Sequence, residues 1–82
     1  MKKSFKQPIE VLVAFMRDKI LPLSFRWHNQ KYSINNVNLI HESRVGRSKW
    51  YFFSITSDNN YYQLAFDTET NKWFLTEASY GA

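Results

Sequence analysis

From Leu21 onward, apolar and polar residues alternate with a period of two, and the apolar positions are rich in β-branched and aromatic side chains. That periodicity is the mark of strands with one face in a core and the other in water. Leu21, Leu23, Phe25 and Trp27 alternate with Pro22, Ser24, Arg26 and His28, so a strand with an outward-facing Arg26 is expected. The HNQK stretch that follows is a tight hairpin signal, because asparagine tolerates positive φ. Tyr32 and Ile34 open the next strand. Beyond Asn35-Asn36 the apolar pattern passes to Val37 and Leu39, a one-residue change of parity. A β-bulge produces such a slip, and it predicts a sharp bend.

Residues 42–49, ESRVGRSK, read as the longest polar loop. After it Tyr51, Phe53 and Ile55 alternate with Trp50, Phe52 and Ser54. SDNN is a turn, Tyr62, Leu64 and Phe66 carry another strand, DTETNK is a second turn, and Trp73, Phe74 and Leu75 form the last strand. The stretch PIEVLVAFMRDKI fits two periods. As a helix it places Ile9, Leu12, Val13, Met16 and Ile20 on one face, with Pro8 at the first position. As a strand it aligns Ile9, Val11, Val13 and Phe15, and its Ile and Val content favours that choice, with MRDK turning into Leu21.

The expected architecture is therefore all-β: a small antiparallel barrel or strongly bent sheet of about six strands, SH3-like or a β-roll. A helix over residues 8–20 stands as the alternative. Residues 1–7 are expected to be a flexible basic tail, 8–78 a single domain, and 79–82 a frayed end.

Composition agrees with one modest core. The chain has 82 residues, of which 44% are hydrophobic and 18% aromatic, enough for one domain and too few for two. There is no cysteine, so neither a disulfide framework nor a thiolate zinc site is open to it. The start, MKKSFKQP, is charged like a signal peptide, but the apolar stretch after it carries Glu10 and leads into RDK rather than a cleavage site. No run approaches the roughly 20 apolar residues of a spanning helix. A soluble, cytoplasmic protein with no membrane partner is expected. Eleven Lys/Arg against seven Asp/Glu give a net charge of +4 and a pI near 9.5, a mild tilt toward anionic partners.

The strings PIEVLVAF, ILPLSFRWHNQKYSINNV and YYQLAFDTETNKWFL carry a resemblance. They resemble a family of small bacterial all-β proteins of unknown function, with a Pro-Leu-x-Phe-x-Trp strand, a Tyr-x-Ile strand and a late aromatic hairpin ending in Trp. Related domains are appended to some Y-family, translesion-type DNA polymerases. The resemblance spans about residues 8–75 and rests on Pro22, Phe25, Trp27, Tyr32, Ile34, Leu64, Asp67 and Trp73. It departs at MRDKI, which lacks the glycine expected near Asp18. It implies an all-β fold and an association with DNA transactions, and it carries over no catalytic residue.

The chemistry-bearing residues point away from catalysis. His28 and His41 are the two histidines, and neither has a partner at a motif spacing. Glu42 follows His41 directly, so the two side chains would face opposite sides of a strand. Glycine is too scarce for a phosphate cradle or a nucleophile elbow, and two histidines without cysteine make a poor ligand set. No enzyme activity, cofactor or metal is expected. What remains is a basic and aromatic constellation. Arg26, Arg44, Arg47 and Lys49 supply charge, and Trp50 and Phe52 face away from the core if Tyr51 and Phe53 face into it. Rings beside cations suit single-stranded nucleic acid, whose bases stack and whose phosphates attract Lys and Arg. In a small barrel the same rings can instead be a second packing layer, with the basic segment merely solvated. The expected function is a non-enzymatic binding module for nucleic acid. The alternatives are a protein–protein interaction module serving a DNA-processing partner, or a homo-oligomer.

Overall fold

The alternating stretches are strands, and the polar clusters between them are tight turns. The computed structural model describes residues 2–80, with side chains from Lys6 to Tyr80. Its described residues form β1 (Lys2–Met16), β2 (Lys19–Trp27), β3 (Gln30–Ser33), β4 (Asn36–Val45), β5 (Ser48–Ser57), β6 (Asn60–Asp67) and β7 (Lys72–Ser79). The hairpin His28-Asn29 has both central residues at positive φ, 53° and 60°, and so has Asp58-Asn59 at 49° and 64°. Paired left-handed residues give a two-residue loop the twist that matches its flanking strands. Gly46, at φ 64°, takes the first turn position between β4 and β5, where a type II′ hairpin needs glycine.

All pairings are antiparallel, in the order β3-β2-β1-β7-β6-β5-β4. The two outermost strands, β3 and β4, are consecutive in the chain. Six strand spacings of about 4.8 Å would part them by about 29 Å in a flat sheet, yet the three Cα steps from Ser33 to Asn36 reach about 11 Å. The sheet therefore curls until its edges approach at the β3–β4 connection, without pairing. The junction is visible in two successive amides: Ile34 N–H donates to the Leu23 carbonyl of β2 at 3.0 Å, and Asn35 N–H to the Thr56 carbonyl of β5 at 2.8 Å. β1 makes the second corner, pairing β7 through Lys2–Ile9 and β2 through Glu10–Met16. The result is a half-barrel, strongly bent as the sequence suggests.

The core fills the concave side. Phe25, Phe53, Ile55, Tyr62, Leu64, Phe66, Trp73, Leu75 and Ala78 are buried there, with Ile9, Val11, Val13, Trp27 and Tyr32 packed against them. Phe66 stacks on Trp73 at 4.6 Å and Phe25 on Tyr32 at 4.9 Å.

Several expectations need correction. No helix forms over 8–20, and that stretch belongs to β1, its turn and the start of β2. The backbone of residues 2–7 is not a separate tail, because it pairs with β7. Ser79 ends β7 and Tyr80 is described, while Gly81 and Ala82 lie outside the described residues. Residues 42–49 are not a loop. ESRV completes β4, Ser48 and Lys49 open β5, and the turn is two residues long. A polar strand at a sheet edge has no buried face to declare itself, so it reads as a loop.

Leu21 and Leu23 are not core residues either. Leu23 is an extra residue in β2 opposite the Leu12/Val13 step, and this bulge puts Pro22 inside on one side of it and Phe25 on the other. Asn38 is likewise extra in β4, which turns Leu39 outward and Ile40 inward.

Candidate binding surface

Parity along β5 puts Tyr51, Phe53 and Ile55 on the concave side, so Trp50 and Phe52 rise from the convex side. Each has a neighbour of the same orientation on the next strand, because directly opposed residues share a face. One such rung runs across five strands: His41 opposite Phe52, Phe52 opposite Ala65, Ala65 opposite Phe74, Phe74 opposite Pro8. The adjoining rung holds Ser43, Trp50, Asp67 and Lys72.

On this surface Trp50 and Phe52 lie nearly parallel, 17° apart with centroids at 6.3 Å. Trp50 also meets Phe74 at 5.8 Å, and His41 meets Phe52 at 6.2 Å. The three large rings are half-buried and keep part of their faces in water. Lys6 leans over them, its Nζ 4.7 Å from the Phe74 centroid and 5.4 Å from that of Trp50. A cation over a ring in this position is worth about 0.5–1 kcal/mol at an exposed site. Lys6 sits where the β1–β7 register is broken, between Ser4 and Gln7, which frees it from the regular alternation.

Asp67, between Trp50 and Lys72 in the second rung, is occupied by its own turn. Its Oδ1 accepts from the Glu69 amide at 2.9 Å and its Oδ2 from the Thr70 hydroxyl at 3.0 Å. The DTET segment thus orders the β6–β7 connection. Among the described residues, no group of three or more His, Cys, Asp or Glu could hold a metal ion.

The six residues singled out from sequence do not form one cluster. Trp50 and Phe52 are together on the convex face. Arg44 and Lys49 oppose each other on the concave face, where Lys49 bridges to Glu42 at 3.4 Å and lies 5.3 Å over the Tyr51 ring. The Tyr51 hydroxyl, and then the Glu42 carboxylate, hold the Lys49 ammonium above its ordinary pKa. Arg47 is exposed in the hairpin turn, at the end of the strand that carries Trp50. Arg26 does face outward, opposite Glu10 and Lys31. It is four strands from Trp50 in the sheet order, about 19 Å along the curve.

Phe74, Ala65 and Lys6 join the surface without having been singled out. Phe74 was legible, since it lies between the two inward residues Trp73 and Leu75. Lys6 was not, because its position depends on the register break. His28 is elsewhere, stacked on Trp27 at 4.4 Å.

Comparison with protein-family models, with curated proteins and with solved structures finds no match to this chain.

Proposed function

We propose that this chain is a non-enzymatic binding module that holds single-stranded nucleic acid on the convex face of its sheet. The observation that carries the reading is the group of Trp50, Phe52 and Phe74 on one face with the Lys6 ammonium over two of the rings. Stacking a base on such a ring contributes about 1–3 kcal/mol and tolerates any sequence, because every base has a π-face. The cations on the convex face are Lys6 and Lys72, with Arg47 exposed in the hairpin turn at the end of β5. Single strands present unstacked bases to a sheet face, whereas duplex DNA keeps its bases stacked.

The test is fluorescence anisotropy of labelled single-stranded DNA, single-stranded RNA and duplex DNA, at low and at physiological salt. Binding is expected for single strands over duplex. With about three phosphates neutralised, log K should fall with log salt at a slope of about −2. Absence of binding at low salt, or preference for duplex, would overturn the reading.

A further inference from the structure

The two edges of the sheet are treated differently. β3 has four residues and carries Lys31, which is how edges are ordinarily blunted. β4 has ten residues and is unpaired on its outer side; between its bulge at Asn38 and its charged end at Glu42 and Arg44 it leaves Leu39 at 62% exposure and Ile40 at 49%. A long edge with apolar side chains on both faces is a template for another strand.

Beside that edge the half-barrel has a cleft of about 440 Å³, where the β1–β2 hairpin stands across from β4 and β5. Phe15, Met16, Ile20, Ile40, Tyr51 and Phe53 supply its apolar lining. Phe15 is 69% exposed, although it shares the inward face of β1 with core residues. Arg17 and Lys19 stand at the hairpin end of the cleft, with Asp18 between them. Arg44 continues the concave face of β4 beyond Glu42, which is already bridged to Lys49. The uncompensated charge around the cleft is positive.

We infer that the β4 edge and this cleft bind an extended, acidic and apolar segment of another protein by strand addition. The segment pairs its backbone with β4, sets alternate apolar side chains against Ile40, Phe15 and Ile20, and meets Arg17, Lys19 and Arg44 with carboxylates. Main-chain hydrogen bonds supply affinity in this mode, and the side-chain cleft supplies selectivity. A second copy of this chain would bring its own net charge of +4 against those same cations, so the charge favours an acidic partner. The cleft lies on the opposite face from the convex rings, since Ile40 and Phe52 face opposite ways, while the β4 backbone borders both faces through Ile40 and His41.

The test uses two blocked octapeptides, one alternating valine with glutamate and one alternating valine with lysine, titrated into the full chain and followed by amide NMR. Saturable shifts centred on Leu39–Glu42 are expected with the glutamate peptide, at least about tenfold tighter than with the lysine peptide. Ile40→Asp should abolish the shifts while leaving the rest of the spectrum in place, because that side chain is half exposed. An Arg17→Glu, Lys19→Glu double variant should reverse the charge preference. No saturable shift, equal binding of both peptides, or shifts centred on Trp50 and Phe74 would overturn the inference. So would a concentration-dependent mass of the free protein that Ile40→Asp abolishes, which would place a second copy on the edge.

Discussion

Trp50 of β5 and Phe74 of β7 meet at 5.8 Å between ring centroids although β6 runs between their strands. Two strand spacings amount to about 9.6 Å, so the rings must lean together over whatever β6 presents. β6 presents Asp67 directly opposite Trp50 and Ala65 directly opposite Phe74, and Ala65 is 1% exposed despite facing outward. A methyl group between Phe52 and Phe74, and diagonal to Trp50, leaves the room in which three separate side chains form one surface.

Replacing that methyl should therefore dismantle the surface. Ala65→Leu is expected to force Trp50 and Phe74 apart and to cost about 1–3 kcal/mol through overpacking. Urea denaturation followed by tryptophan fluorescence reads both effects, the first as a change in the native emission before unfolding.

The two sides of β5 should differ in their contribution to stability. Phe53, 1% exposed in the core, should cost about 3–5 kcal/mol on truncation to Ala. Phe52→Ala on the convex face should cost clearly less, because its ring is only half-buried. Similar losses for both would mean that the convex rings are a second core rather than a surface.

Much of this arrangement could be read in advance. Alternation marked the strands, and Asn and Asp pairs marked the turns because those residues accept the left-handed conformations found at Asn29, Asp58 and Asn59. The parity of Tyr51, Phe53 and Ile55 fixed which way Trp50 and Phe52 point. The bulges at Leu23 and Asn38 were not legible, since an extra residue flips a face without any compositional mark. The Asn35-Asn36 pair announced a bend, but not that the chain changes partners there from β2 to β5. The cations failed for a related reason. Taken as a loop, ESRVGRSK let Arg44 and Lys49 gather near Trp50; as a hairpin, it fixes them on the opposite face.

Ser57 offers a stabilising change. Its hydroxyl is buried and has no hydrogen-bond partner among the described residues, and a buried unsatisfied group costs about 1–3 kcal/mol. Ser57→Ala should raise stability by about 1 kcal/mol in chemical denaturation. A loss of similar size would show that the hydroxyl has a partner in solution.

Alkaline stability should depend on Tyr62. Burial, and then the neighbouring Tyr32, push its phenol above the ordinary tyrosine value of about 10. The folded state thus holds this proton more tightly than the unfolded chain. Its contribution is complete below the unfolded pKa and is lost as pH rises through the folded one. The raised Lys49 has the same sign, in the range above its ordinary 10.5. Thermal melts between about pH 8 and about pH 11, a span that brackets the ordinary tyrosine value, should show stability declining above about pH 10. Tyr62→Phe should flatten that decline.

The convex face is tested most directly by comparing two sets of variants against one probe, a labelled single-stranded DNA at low salt. Trp50→Ala and Phe74→Ala should each weaken binding by about tenfold or more, the loss of about 1–3 kcal/mol from one stacked base, with the fold intact by circular dichroism. An Arg44→Ala, Lys49→Ala double variant should bind nearly as the parent does, because both side chains lie on the other side of the sheet. The opposite pattern, with binding lost in the double variant and retained in Phe74→Ala, would contradict the assignment and move the ligand to the concave face.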